Sequence, residues 1–227
     1  MSIWSKIRYA FEALSEGKSL SEVFETFTKP PEKTLAFTIA VIGLGAKMAK
    51  ADGRVTRDEV TAFRQVFFIE PQDEAHAARI FNLAKEDVAG FQTYARSIAR
   101  MFSDNKAVLV DLLEGLFYIA SADGVHHPLE EAFLEEVSDI FELDQRDFNA
   151  IKNRAIPGSA ADPYMVLGVD PDDDLATIRK KWRQIVKETH PDRMIARGVP
   201  TEAVELATHR LASVNEAWEK ITNERKT

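Results

Sequence analysis

The chain reads as an all-α protein in two parts: an N-terminal helical bundle, then a C-terminal unit built on an antiparallel helical hairpin. Three observations carry this. Apolar residues recur at spacings of three and four along most segments, the period of a helix with one buried face, and no stretch shows the sustained two-residue alternation of a strand. The segment Ile156 to Ala161, with Pro157 and Gly158 as breakers, reads as a linker dividing residues 1–155 from residues 162–227. Within the first part a motif repeats. Ala51-Asp52-Gly53 followed by Glu59 returns as Ala122-Asp123-Gly124 followed by Glu130, each time between an apolar segment and an amphipathic one.

Composition bounds the function. With 227 residues, 45% hydrophobic and 29% charged, the chain has the length for two domains and the balance of a soluble globular protein. The absence of cysteine excludes disulfides and thiolate zinc sites. The net charge of −8 is unevenly placed, because residues 1–161 hold 25 acids against 18 bases and the remainder 12 against 11. Broad nucleic-acid binding rests on phosphate neutralisation, so no nucleic-acid partner is expected. The longest uncharged run, Thr34 to Ala46, is shorter than the roughly 20 residues a membrane-spanning helix needs. Lys6, Arg8 and Glu12 interrupt any apolar core in the first 14 residues, so neither a signal peptide nor a transmembrane anchor is expected, and the expected location is the cytoplasm. Ile3, Ile7, Ala10, Phe11 and Leu14 form an apolar stripe that fits a helix docked on its own domain better than peripheral contact with a membrane surface.

The elements follow in order. After the N-terminal stripe, a short segment from Leu20 to Phe27 ends at Lys29-Pro30-Pro31. A strongly apolar helix is expected from Thr34 to Lys50; it is the buried centre, and its Gly43 and Gly45 are expected to admit a neighbouring helix at close range. Further helices are expected from near Arg57 to Ile69 and over 72–85, 87–102, 106–121, 129–141 and 144–154. The linker of about six residues is too short for free tumbling, so the two parts are expected to touch or to share a limited range of orientations. Asp162 and Pro163 supply the cap and first residue of the next helix.

The repeated loops admit two readings. Asp52, Glu59, Asp123 and Glu130 could bring four carboxylates to one divalent cation, since oxygen ligands suit calcium, magnesium or manganese. Capping explains most of the same spacing without a metal. Gly53 and Gly124 can end the preceding helices, Thr56 with Glu59 has the spacing of a capping box, and His127, Pro128 and Glu130 occupy the corresponding places in the second copy. The alternating ligands of an EF-hand are missing. Paired Asp-Gly loops each followed by a glutamate resemble the TerB-like helical domain of tellurite-resistance proteins. That resemblance implies a helical bundle with a possible divalent-metal role for Asp52, Glu59, Asp123 and Glu130.

In the C-terminal part, Leu175, Ile178, Trp182, Ile185 and Thr189 form one helical stripe, and Val204, Ala207, Leu211, Val214, Trp218 and Ile221 form a second. A loop holding Pro191, Gly198 and Pro200 joins them, so the two stripes can bury each other and leave His190-Pro191-Asp192 at the hairpin's tip. Lys180, Arg183 and Lys187 make a basic ridge, angularly distinct from the stripe, that leads to this corner. Together with Asp162-Pro163-Tyr164-Met165-Val166-Leu167-Gly168-Val169 and the run from Val214 to Ile221, these segments resemble the J domain of DnaJ-family co-chaperones. The resemblance implies that His190, Pro191, Asp192, Lys180, Arg183 and Lys187 meet a DnaK-type chaperone, and that Tyr164 and Leu167 pack beneath the hairpin. Trp182 stands where the family usually has tyrosine, and the family's short fourth helix is missing or vestigial.

A TerB-like domain followed by a J domain is similar to the DjlA-type bacterial co-chaperones, although those typically begin with a transmembrane helix. What the resemblance implies is stimulation of a partner's ATP hydrolysis, with no enzymatic chemistry and no required cofactor in this chain. The Gly/Phe-rich and β-rich parts of full-length DnaJ are absent, so client binding would fall to residues 1–155. No serine, histidine and acid constellation is recognisable, His76 and His209 are isolated, and His126 and His127 are adjacent and rarely share a metal. The alternative is a metal-responsive, tellurite-resistance-like scaffold whose J domain is accessory or inactive.

Overall fold

One apolar helix, α1 (Lys33–Asp52), organises the N-terminal part, and from Ala36 to Ala46 its side chains are almost wholly removed from solvent. The structure is a computed structural model that describes residues 7, 12, 15–19, 22, 33–52, 61, 74–86, 90–122, 127–155, 161–200 and 205–226. Around α1 lie α2 (Glu74–Glu86), α3 (Phe91–Met101), α4 (Lys106–Ala120) and α5 (Pro128–Ile140), each packed against it, while α6 (Gln145–Ala155) packs on α4. α4 is apolar on most sides and lies between α1 and α6, which makes it the second buried element. Ile7, from the N-terminal stripe, joins the same core, in keeping with docking on the chain's own domain; the stripe's other members lie outside the described residues.

The C-terminal part comprises α7 (Pro163–Leu167), α8 (Leu175–Glu188), α9 (Pro191–Ala196) and α10 (Glu205–Glu224). α8 and α10 form the hairpin, with α7 packed on α10. Val166, Leu167, Ile178, Val214, Ala217 and Ile221 make its core, and Tyr164, Trp182, Ile185 and Trp218 cover it from its edges. The Trp182 and Trp218 rings stack at 5.1 Å and 11°, and Trp182 Nε1 donates to Asn215 Oδ1 at 3.0 Å. The ring of Trp182 is therefore packed with its one polar group satisfied. At the far end, Arg225 donates to the carbonyls of Pro171 and Asp173 and lies over the Tyr164 ring, tying the end of α10 to the α7–α8 turn.

Every described helix corresponds to one expected from the pattern except α9, and no strand occurs among the described residues. The starts of α7 and α5 are capped as their residue types lead one to expect, whereas Asn105 before α4 makes no side-chain capping bond. Asp162 accepts from Tyr164 N with Pro163 at the first helical position, and His127 accepts from Leu129 N with Pro128 following. Gly43 meets its close neighbour: a Cβ there would stand 2.5 Å from Tyr94 Cε1. Gly45 does not, since its nearest described neighbour, Leu116 Cδ2, lies 3.9 Å away, an ordinary contact. No helix of the described residues is long and apolar enough to cross a membrane. Of the helix expected near Arg57 to Ile69 the described residues include Thr61, which is helical and exposed; Gly53, Thr56, Glu59 and Gly124 lie outside them.

Three expectations for the hairpin need correction. Leu175, at the first position of α8, is 43% exposed and joins neither core. The loop expected after Thr189 instead contains α9, since Pro191 at a first helical position with His190 as cap starts a helix rather than breaking one. Leu211 is only partly buried and joins neither core. The cause is that α10 serves two partners: Leu206 and Ala207 in its first turns belong to the N-terminal core, while Val214, Ala217 and Ile221 face α8. The two parts are thus packed together, the first of the two arrangements that the short linker allows.

Candidate protein-docking site

Asp174 caps α8, its carboxylate accepting from Thr177 N at 2.6 Å; that backbone hydrogen bond holds its pKa below the ordinary carboxylate value. From this start the helix turns Ile178, Trp182 and Ile185 toward α10 and leaves Lys180, Arg183 and Lys187 exposed. The ridge ends at Thr189, which is buried, and the chain then enters α9 through His190. His190 Nδ1 accepts from Asp192 N at 3.3 Å, and the Asp192 carboxylate lies 3.7 Å from the same nitrogen. In the neutral ring this leaves Nε2–H as the free donor. The His190 side chain is 62% exposed and that of Asp192 is 88% exposed, while Pro191 is partly covered. A donor and a carboxylate are therefore offered together on one stiff corner beside three exposed cations.

Behind that corner lies a group of charges that periodicity did not single out. Asp111 and Glu114 of α4, Arg154 of α6, Arg197 at the end of α9 and Arg210 of α10 converge with each side chain at least nine-tenths buried. Arg197 donates Nε to Asp111 Oδ2 at 2.6 Å and Nη2 to Oδ1 at 3.0 Å, the bidentate geometry of a strong guanidinium–carboxylate pair. Arg210 Nη1 stands 2.9 Å from Asp111 Oδ1, and its Nη2 stands 2.8 Å from Glu114 Oε2. Arg154 pairs with Glu114 at 3.2 Å and donates Nη1 to the Val166 carbonyl at 3.1 Å.

Burial pushes the Glu114 carboxyl up, but Arg154 and Arg210 outweigh it and hold the pKa below its ordinary value. Burial likewise pushes the Arg210 guanidinium down, and Glu114 with Asp111 more than restores it, so its pKa is raised. Beside the cluster, the Tyr118 ring of α4 packs on His209 of α10 at 4.7 Å, with Tyr118 Oη 3.1 Å from Nε2. His209 is thus a satisfied side chain. Leu206 Cδ1 seats 3.4 Å from where Gly115 would carry a Cβ, which a larger residue in α4 would obstruct. The sequence signal for the cluster was two acids three residues apart inside an otherwise apolar helix, Asp111 and Glu114, with Arg210 interrupting the apolar stripe of α10.

Of the four candidate metal ligands, Glu130 is buried in the first turn of α5. Glu59, Asp123 and the side chain of Asp52 lie outside the described residues.

Comparison with known proteins agrees with both halves. A helical bundle joined to a hairpin that presents an exposed His-Pro-Asp corner beside a basic ridge defines a J-domain protein. Residues 38–153 match the family described as Tellurite resistance protein TerB, and residues 162–227 match the DnaJ domain. Since the first match covers half of the chain, the chain belongs to the TerB family, and it carries a DnaJ domain at its C-terminal side. Similar curated proteins are the "Co-chaperone protein DjlA" of Photorhabdus laumondii, 24% identical over 88% of this chain and 83% of its own length, and that of Escherichia coli K12, 23% identical over 92% and 86%. The protein of that name from Coxiella burnetii is 26% identical over 81% and 74%. No solved structure matches.

Proposed function

We propose that this protein is a co-chaperone that docks on a DnaK-type chaperone and stimulates its ATP hydrolysis, and that residues 1–155 supply contact with a client or second partner. The observation that carries this reading is the exposure of His190 and Asp192 at a rigid helix start beside exposed Lys180, Arg183 and Lys187. The three cations steer the helix onto an acidic face of the partner and fix its register. The corner then shifts the partner toward hydrolysis only in so far as it binds the hydrolysis-competent state more tightly than the resting one. Proline limits the loss of conformational freedom on docking, and Asp192 offers its carboxylate to a cation of the partner. On this reading the hydrolysis itself belongs to the partner, and the corner acts only by binding.

The test is stimulation of the partner's steady-state ATPase across ionic strength. Wild type should need more protein for half-maximal stimulation as salt rises, because the steering charges are exposed and screened. Reversal of Lys180, Arg183 and Lys187 to glutamate should remove stimulation at every salt concentration. Stimulation by the reversed variant equal to that of wild type would rule out docking through the ridge.

A further inference from the structure

The corner that carries His190, Pro191 and Asp192 is not held by its own domain alone. Met194 and Val199, which follow the tripeptide, are buried in the N-terminal core and do not belong to the cluster between α7, α8 and α10. Arg197 closes the arrangement. Its Nη1 donates to the Glu188 carbonyl at 2.8 Å, two residues before His190, while Nε and Nη2 clasp Asp111 at 2.6 and 3.0 Å. One guanidinium therefore ties the chain on both sides of the tripeptide and fastens it to a carboxylate of the other domain. The outward side stays open, with His190 and Asp192 exposed.

We infer that Asp111 and Arg197 are positioning residues for the docking corner, so that the N-terminal domain sets how well the J domain engages its partner. This rests on the co-chaperone reading above. A corner freed from Asp111 samples conformations that cannot dock, and apparent affinity falls by the fraction that remains competent. The partner's response once bound is unaffected, because His190 and Asp192 are unchanged. Charge bookkeeping identifies the gentle cut. The cluster holds three guanidiniums against two carboxylates, so removing Arg197 leaves two of each, with Asp111 still paired to Arg210 and Glu114 to Arg154 and Arg210. Arg197→Ala should therefore fold, whereas Asp111→Asn would leave three buried cations facing one carboxylate.

The experiment uses the full chain as wild type, Arg197→Ala, Arg197→Lys and His190→Gln. Two measurements are made: amide hydrogen exchange over residues 188–199, and single-turnover ATPase acceleration of a DnaK-type chaperone titrated with each protein. Arg197→Ala should melt cooperatively, exchange faster across the corner, and need on the order of tenfold more protein for half-maximal acceleration with an unchanged plateau. Arg197→Lys, which can reach Asp111 or the Glu188 carbonyl but not clasp both, should fall between. Unchanged exchange together with an unchanged half-maximal concentration overturns the inference, and so does a lower half-maximal concentration, which would mean that the seat restrains the corner. If wild type accelerates nothing, or His190→Gln accelerates as wild type does, the co-chaperone reading fails; the exchange measurement then still decides whether Arg197 orders the corner.

Discussion

Replacing Glu114 with glutamine keeps the shape of the side chain and removes one of two negative charges from the buried cluster. Glu114 faces Arg210 at 2.8 Å and Arg154 at 3.2 Å, and all three are nearly dry. Breaking a buried pair by neutralising one partner costs about 3–5 kcal/mol, and since the amide oxygen can still accept one hydrogen bond, the lower end, about 3 kcal/mol, applies here. At about 2–4 °C per kcal/mol for a chain of this size, the midpoint of thermal unfolding should fall by about 6–12 °C. The effect must also depend on pH. The Glu114 carboxyl has a folded pKa below its ordinary 4.5. A carboxylate of that kind stabilises fully above its unfolded pKa, and its contribution is lost as pH falls through the folded value. Urea unfolding followed by tryptophan fluorescence should show the full gap between wild type and Glu114→Gln from pH 7 to about pH 5, closing at lower pH as the wild-type group takes up its proton. Equal stability at pH 7, or a gap that does not shrink in acid, would refute the reasoning.

Other perturbations read other parts of the structure. Gly43→Ala should destabilise by about 1–3 kcal/mol, because the new carbon would lie 2.5 Å from the buried Tyr94 ring, whose hydroxyl donates to the Ile39 carbonyl at 2.8 Å. Gly45→Ala should cost nothing, and the contrast is read by denaturant midpoints of the two variants. Trp182→Ala removes the stack on Trp218 and the bond to Asn215 and should cost about 2–3 kcal/mol, while Trp182→Tyr should cost well under half of that in the same melting experiment. If Asp52, Glu59, Asp123 and Glu130 hold a cation, calorimetric titration of the full chain with manganese or calcium should give a saturable heat that Asp52→Asn and Asp123→Asn abolish. The co-chaperone reading requires no such heat, and a heat unchanged by both variants would place the metal elsewhere.

The hairpin was legible because its information is local. Spacing placed Ile178, Trp182, Val214 and Ile221 on facing stripes, and residue type placed Asp162, Pro163, His127 and Pro128 at helix starts. What escaped is non-local. Asp111 and Glu114 read as ordinary polar positions of a helix until the position of Arg210, about a hundred residues further along, is known. Ala207 shares one helical stripe with Val214 and Ile221 yet serves, with Leu206 beside it, a different core, and no periodicity distinguishes two partners on one helix. α9 was hidden by Pro191, which stops a helix from within and starts one at its first position. The docking corner itself, by contrast, was marked by three adjacent residues and a ridge.

The central claim is that this corner acts on another protein's ATPase, and single-turnover hydrolysis of pre-bound ATP by a DnaK-type chaperone tests it most directly. Adding wild-type protein should accelerate the decay, and adding His190→Gln at the same concentration, with its fold verified by circular dichroism, should leave the basal rate. Equal acceleration by both proteins would contradict the account.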